Sequence, residues 1–183
     1  VESNHAHRVE RLALKLFDQL AGGDKMQRMY PSLMLSWAAR LHEIGFTVAH
    51  SGYHKHSAYI IGHADMPGFS RMEQGQLSLL VLAHRGSLDK LRGMVAKDID
   101  WTPLLALRLA ALLHRSHSEM RLPTIRATKR KSTFTFELDA RWLAANPLTA
   151  AELREEIKNW NKLGVEIAMP QLAELEAEAI AAD

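Results

Sequence analysis

Cysteine is absent from the 183 residues of this chain, which excludes disulfide bonds and thiolate metal sites and fits a reducing compartment. Apolar runs long enough to span a membrane are also missing, and no signal peptide is present. The ten glycines are scattered, so there is no glycine-rich loop of the kind that cradles nucleotide phosphates. We therefore expect a cytoplasmic protein, with peripheral attachment to a membrane left open.

Charge of one sign is not in large excess either, because 23 Lys and Arg residues oppose 21 Asp and Glu residues, for a net charge of +2. This balance permits an anionic partner without requiring one. The basic residues are not interleaved with aromatic ones, as a stacking platform for single-stranded nucleic acid needs, so nucleic acid is not an expected partner. The hydrophobic fraction of 47% is enough for a sizeable core in one domain, or in one domain with a small second one.

All ten histidines lie between His5 and His117, and this break in composition divides the chain into two parts. Residues 1–120 carry apolar side chains at helical spacing, which predicts a helical bundle. Ser70 and Glu73 have the spacing of a capping box and predict the start of one of its helices.

Residues 121–183 change period, which predicts a small α+β subdomain with a short antiparallel sheet and a terminal helix. The segments 123–128 and 133–138 have the pattern of a β-hairpin, and Val165 to Ile167 could add a third strand. Thr149 and Glu152 have the spacing of a second capping box, which predicts a helix that starts there. The predicted fold class is therefore mainly α, a helical bundle followed by this subdomain.

The adjacent pair His42-Glu43, at the end of an apolar helix, is the strongest candidate for chemistry. Imidazole and carboxylate groups from several helix ends can hold one divalent ion, and such an ion can activate water against a phosphate ester or anhydride. The predicted metal-ligand set is His5, His42, Glu43, His54 and His84. A purely structural His42-Glu43 pair is the alternative, and the i,i+3 pair His114 and His117 is a further source of ligands.

The segments around His5 and His42 resemble the HD superfamily of metal-dependent phosphohydrolases. His5-Ala6-His7-Arg8-Val9 is similar to its first-helix motif, and Leu41-His42-Glu43-Ile44-Gly45 to its His-Asp motif, with Glu43 in place of the aspartate. His54 and His84 match histidines that some members use for a second metal. The family's distal aspartate falls on Ala111, so the resemblance implies an HD-like bundle with a vestigial metal site. An autonomous HD-type phosphohydrolase is the alternative.

The blocks 52–61, 64–71 and 84–86, with Arg141-Trp142-Leu143 and Asn146-Pro147-Leu148, carry a closer resemblance. They are similar to the C-terminal half of the exopolyphosphatase / guanosine pentaphosphate phosphohydrolase family, over about Asn4 to Met169. The resemblance implies that this chain is the accessory, C-terminal region of a longer bacterial hydrolase and is inactive alone. It also implies N-terminal actin-like domains that hold the catalytic carboxylates and Mg²⁺, and no cofactor is firmly expected in this chain.

The accessory role implies that the chain binds inorganic polyphosphate, which Lys, Arg and helix N-termini can hold through its regular negative charges. Two groups of residues are predicted to do so: Lys55, His56, Arg71, His84 and Arg85 in the bundle, and Arg126, Lys129, Arg130 and Lys131 in the hairpin. A solvated turn is the alternative for the hairpin group. The Trp and Leu stripes of the helices leave a homodimer open.

Overall fold

The computed structural model describes residues 3–94, 99–117 and 121–182, which form a helical bundle followed by a small sheet with three further helices. The helices within these residues are α1 (Ser3–Leu20), α2 (Lys25–Leu41), α3 (Tyr53–His63), α4 (Arg71–Ala83), α5 (Thr102–Leu113), α6 (Ala140–Ala145), α7 (Pro147–Lys162) and α8 (Pro170–Ala182). Short 3-10 helices cover Ile44–Thr47 and Leu88–Met94. None of the helices in the described ranges combines the length and the apolar character needed to cross a bilayer.

Local hydrogen bonds explain where several helices begin. Ser70 Oγ accepts from the backbone N–H of Glu73, while the Glu73 carboxylate accepts from the Ser70 N–H, so the predicted capping box is confirmed. The Asp139 carboxylate caps α6 in a similar way. The box predicted at Thr149 is wrong, because α7 already starts at Pro147, where proline is favoured in the first turn.

The sheet contains strands β1 (Arg126–Arg130), β2 (Thr133–Glu137) and β3 (Glu166–Ala168), in the order β1-β2-β3. The first two strands form the predicted antiparallel hairpin. The third strand pairs with β2 in parallel, so the sheet is mixed and not purely antiparallel. The parallel direction follows from the crossover through α6 and α7, which returns the chain to the end of the sheet where β2 began. The mainly α fold with a small α+β part is confirmed.

The apolar core is one continuous cluster that includes side chains from both parts of the chain. On the bundle side α1 packs against α2 and α5, and it also contacts β1. Gln19 of α1 fixes this last contact, since its amide donates to the carbonyl of Ile125 and accepts from the N–H of Ala127. The predicted boundary between residues 120 and 121 adjoins residues 118–120, which lie outside the described residues. The division into 1–120 and 121–183 therefore stays a prediction.

Candidate functional site

The ends of α2, α4 and α5 and the start of α1 surround a small polar cavity of about 60 Å³. His5, His42 and His84 line it, as do Glu43 and His117. The turn after α2 is held in place because Ser57 Oγ donates to the His42 carbonyl and accepts from the Gly45 N–H, each at 2.8 Å. The bundle thus brings together histidines that are far apart in the sequence.

The Glu43 carboxylate lies at the centre of this cluster and is only 3% exposed. Its Oε1 atom is 3.0 Å from His117 Nε2, 3.3 Å from His5 Nε2 and 3.7 Å from His42 Nε2. Burial raises the pKa of Glu43, but the hydrogen bond with His5 and the neighbouring imidazoles outweigh burial and leave the pKa below its ordinary value. The carboxylate is therefore ionised at neutral pH.

The rings of His42 and His84 are fixed by the same type of backbone contact. His42 Nδ1 lies 2.7 Å from the Ala39 carbonyl, and His84 Nδ1 lies 2.6 Å from the Val81 carbonyl. Since a carbonyl only accepts, each Nδ1 carries the proton and each Nε2 of the neutral ring keeps its lone pair. Burial lowers the pKa of both rings, that of His84 to well below its ordinary value, so both are neutral at pH 7.

His84 Nε2 is used within the cluster by Tyr53. The buried Tyr53 hydroxyl lies 3.2 Å from this nitrogen and donates to it, and the guanidinium of Arg85 lies 5.2 Å from the centre of the Tyr53 ring. Tyr53 was not among the predicted site residues. It connects the first turn of α3 to the end of α4 and directs Arg85 towards the cavity.

Arg108 of α5 and Glu156 of α7 form a buried ion pair beside the cavity. Arg108 Nε is 2.5 Å and Nη2 is 2.7 Å from the Glu156 carboxylate oxygens. The same guanidinium donates to the carbonyls of Ala83 at 2.6 Å and Gly86 at 3.1 Å. The pair therefore holds the loop that carries His84 and Arg85, and it ties this loop to α7.

Cationic side chains collect around His54, at the start of α3. The pKa of His54 is lowered to about 4, first by burial and then by the charges of Lys90, Arg85, Lys55 and Arg108. The pKa of Lys90 is lowered to about 8, by burial and then by Arg108 and Lys55. We call Lys55, Arg85 and Lys90, with His54, the cationic rim. It is a region of positive potential at the edge of the cavity.

The first group of predicted polyphosphate-binding residues is split between the two ends of α3 and α4. Gln74 donates to the Ile61 carbonyl and Ser78 donates to the Ala58 carbonyl, so the two helices run antiparallel. Lys55 and the half-buried His56 therefore lie at the end that carries His84 and Arg85. Arg71, the first residue of α4, is exposed at the opposite end.

The hairpin group is exposed, but half of it has acidic partners. Arg126 lies 3.7 Å from Glu137 across the hairpin. Lys129 lies 3.7 Å from Asp100 and also stands over the Phe134 ring. Within the described ranges, Arg130 and Lys131 at the turn have no acidic partner, so they are the two hairpin cations available to an anion.

Two residues that complete the cavity were not in the predicted sets of ligands and anion-binding residues. His117 stacks on His5 with ring centres 3.8 Å apart, and Arg8 donates to its backbone carbonyl. The sequence signal for His117 is its i,i+3 spacing from His114, which makes the pair a further source of ligands. Arg108 is a lone cation in an otherwise apolar helix, a signal that could have indicated a buried ion pair.

The chain has named relatives among known proteins. Residues 1–157 match the family model described as Ppx/GppA phosphatase, domain III. The guanosine-5'-triphosphate,3'-diphosphate pyrophosphatase of Vibrio cholerae serotype O1 is 33% identical over 170 residues, which cover 90% of this chain and 33% of that protein. Proteins of the same name from Vibrio campbellii and Pseudoalteromonas translucida are 33% and 32% identical, over 90% of this chain and 33% and 34% of their own lengths.

The chain spans about a third of the length of the curated relatives it matches. The family resemblance inferred from the sequence is confirmed by the family model and by these relatives together. The chain belongs to the Ppx/GppA phosphatases, and it corresponds to domain III of that family.

Proposed function

We propose that this chain is an accessory domain that binds chains of linked phosphates, inorganic polyphosphate or the phosphate groups of guanosine pentaphosphate, for a phosphatase of this family. The observation that carries the proposal is the cationic rim, whose three cationic side chains, together with Arg108, lower the pKa of His54 beyond the effect of burial. Cations gathered in this way repel one another, and a bound polyanion relieves the repulsion. The relatives' name, which specifies a guanosine polyphosphate, supports the same class of ligand.

The proposal assigns the hydrolytic step to other domains. By resemblance, actin-like domains of the parent protein would supply the catalytic carboxylates and Mg²⁺, and this chain would hold the part of the substrate away from the reacting phosphate. A cytoplasmic location remains a prediction.

Hydrolysis by this chain alone is the alternative function. Ala111, the position that aligns with the distal aspartate of HD phosphohydrolases, lines the cavity and offers no carboxylate. We therefore expect binding without turnover. Release of phosphate from polyphosphate by the pure chain, with its identity confirmed by mass spectrometry, would contradict the accessory role.

The test measures the affinity of the chain for short polyphosphate by isothermal titration calorimetry at several salt concentrations. Affinity should fall steeply with salt, because each neutralised phosphate releases counterions. Lys55→Ala and Arg85→Ala should each weaken binding about tenfold, the equivalent of a charge-assisted hydrogen bond of about 1.5 kcal/mol. Each should also reduce the salt slope by about one.

Arg71→Ala is the matched control, since it removes the same charge from the opposite end of α4. It should leave the affinity for a short polyphosphate within about twofold, because a short chain does not reach both ends of a helix of 13 residues. An equal loss in Arg71→Ala would show that the site is not at the cationic rim. The pKa of His54, followed by nuclear magnetic resonance, should rise on binding, because the anion offsets the charges that lower it.

A further inference from the structure

The outward side of α2 exposes large apolar side chains at helical spacing, and the start of α4 adds one more. We call this set the apolar face, and its members are Met26, Met29, Tyr30, Leu33 and Trp37 of α2 and Met72 of α4. Their exposed fractions range from 37% for Trp37 to 74% for Met26. A surface helix normally presents polar side chains to water, so this side of α2 has the reverse of the expected pattern.

The two aromatic members of the apolar face are held in place. The Tyr30 hydroxyl donates to Gln76 Oε1 at 2.9 Å. The Trp37 ring meets the Phe69 ring edge to face, with ring centres 5.8 Å apart. Because α2 meets α4 at Gln76 and the turn before α4 at Phe69, Met72 lies between these contacts and continues the surface. Rigid aromatic side chains lose little freedom on binding, which makes them effective anchors in an interface.

The size and composition of the apolar face are those of an interface between proteins. Its six side chains expose roughly 700 Å² in total, if a large side chain has an area of about 200 Å². The largest apolar patch of a monomer is about 300–600 Å², and each partner of a stable complex buries about 800 Å². From Met26 to Trp37 the sequence has one charged residue, Arg28, which pairs with Asp18 at 2.8 Å. A second copy is therefore not repelled, and methionine and aromatic residues are enriched as in an interface core.

An open apolar groove of about 330 Å³ adjoins the apolar face at Tyr30. Its walls include Met34 of α2, Leu79 and Leu80 of α4, and Trp101. Packed protein interiors leave few voids larger than a water molecule. A surface groove of this size therefore has room for apolar side chains that project from another chain, and the neighbouring apolar face carries side chains of that kind.

The order of residues on α2 makes the apolar face complementary to itself. Three pairs share one midpoint, just after Pro31, and they are Met26 with Trp37, Tyr30 with Leu33, and Met29 with Met34. Two copies of α2 that pack antiparallel around this point place Met26 of each copy against Trp37 of the other, a favourable contact of sulfur with an aromatic ring. Met29 of each copy then faces Met34, in the groove of the other. One surface thus serves both partners, as an isologous dimer requires.

We infer that the apolar face is the interface of a homodimer, in which α2 packs antiparallel against α2 of a second copy across a two-fold axis. The axis passes near Tyr30 and Leu33, where the two helices are closest. The cationic rim includes Arg85, beyond the end of α4, whereas Met72 lies at its start. The inference therefore does not depend on polyphosphate binding.

The test is sedimentation equilibrium of the 183-residue chain at concentrations from about 1 to about 200 µM. We expect the measured mass to rise from the 20.6 kDa of one chain to twice that value, with a dissociation constant of about 10 µM or lower. Leu33→Glu should weaken the dimer at least about a hundredfold, because it would bury a carboxylate without a partner from each copy. Circular dichroism should show an unchanged fold, since Leu33 is 53% exposed in the single chain.

Leu148→Glu is the matched control, because it makes the same change at an exposed leucine of α7, outside the apolar face. It should leave the dissociation constant within about twofold. A dimer that persists in Leu33→Glu, or that is lost equally in Leu148→Glu, would overturn the inference. A chain that stays monomeric at the highest concentration would also overturn it and would leave the apolar face to a different domain or protein.

The absence of cysteine from the sequence allows a direct test of the two-fold axis. Mild oxidation should convert Leu33→Cys into a disulfide-linked dimer, because the two copies of this position lie close to the axis. Leu148→Cys, at a more exposed position, should stay monomeric under the same conditions. Equal cross-linking of the two variants would indicate random collision and would contradict the interface.

Discussion

Replacing Glu156 with leucine would leave the charge of Arg108 buried without its partner. Both side chains are at most 7% exposed, so water cannot solvate the guanidinium in the folded state. The loss of one partner from a buried ion pair costs about 3–5 kcal/mol. Trp160 also loses the acceptor of its indole N–H, which lies 2.7 Å from Glu156, at a cost of about 1 kcal/mol. We therefore expect the free energy of unfolding to fall by about 4–6 kcal/mol.

Urea denaturation followed by circular dichroism measures this change, with the melting temperature as a second reading. A domain of this size loses about 2–4 °C per kcal/mol, so the melting temperature should fall by roughly 10–20 °C. Arg108→Met/Glu156→Leu removes both charges and should recover at least about 2 kcal/mol of the loss. The recovery is incomplete because the carbonyls of Ala83 and Gly86 then lack a donor.

Glu152→Leu is the matched control, one turn earlier on α7. Glu152 pairs with Arg115, but this pair is about 40% exposed and should contribute at most about 1 kcal/mol. The reasoning is refuted if Glu156→Leu costs no more than Glu152→Leu, or if the double variant is no more stable than Glu156→Leu alone.

Two further predictions concern the cavity wall and pH. Gly45→Ala should destabilise the fold by at least about 3 kcal/mol in urea denaturation, because its Cβ would lie 2.2 Å from the Tyr53 carbonyl oxygen and 2.5 Å from the Ser57 nitrogen. Gly75→Ala is the control within α4, where the space around the new Cβ is open, and it should stabilise the fold by about 0.5–1 kcal/mol. A similar effect at both positions would contradict the packing argument. Burial, followed by neighbouring cationic groups, lowers the pKa of His54 and His114 from 6.5 to about 4. Between these pH values the unfolded chain binds more protons than the folded chain. The free energy of unfolding should therefore fall as the pH drops from 6.5 towards 4. A urea midpoint at pH 5 that equals the one at pH 7 would speak against neutral, buried rings.

Features set by residues close in sequence could be predicted from the sequence. The capping box of Ser70 and Glu73 depends on two side chains three residues apart, and it forms as expected. The same pattern at Thr149 fails because Asn146 and Pro147 offer an earlier start, and Glu152 pairs with Arg115 instead. A capping-box pattern therefore predicts where a helix begins only if no stronger start signal lies within one helical turn of it.

Features set by the direction and packing of distant elements could not be predicted. The sequence grouped Lys55 with Arg71, and only the antiparallel arrangement of α3 and α4 separates them. The parallel direction of β3 depends on where the crossover ends. The place of His117 beside Glu43 depends on stacking against His5, at the other end of the bundle sequence. His42 and Glu43 could be predicted as site residues because they are adjacent in the sequence, and the end of the helix that carries them is set by residues close to them.

The position of α1 has a consequence for how the chain reaches its folded state. The side-chain amide of Gln19 in α1 is hydrogen-bonded to the backbone of Ile125 and Ala127, which are 106 and 108 residues away in the sequence. His5, in the first turn of the same helix, is stacked on His117, more than 100 residues later in the sequence. Closing such long loops has a large entropic cost and slows folding. During synthesis, α1 must therefore wait for most of the residues that follow it in this chain before its native partners exist, and the cavity is completed late.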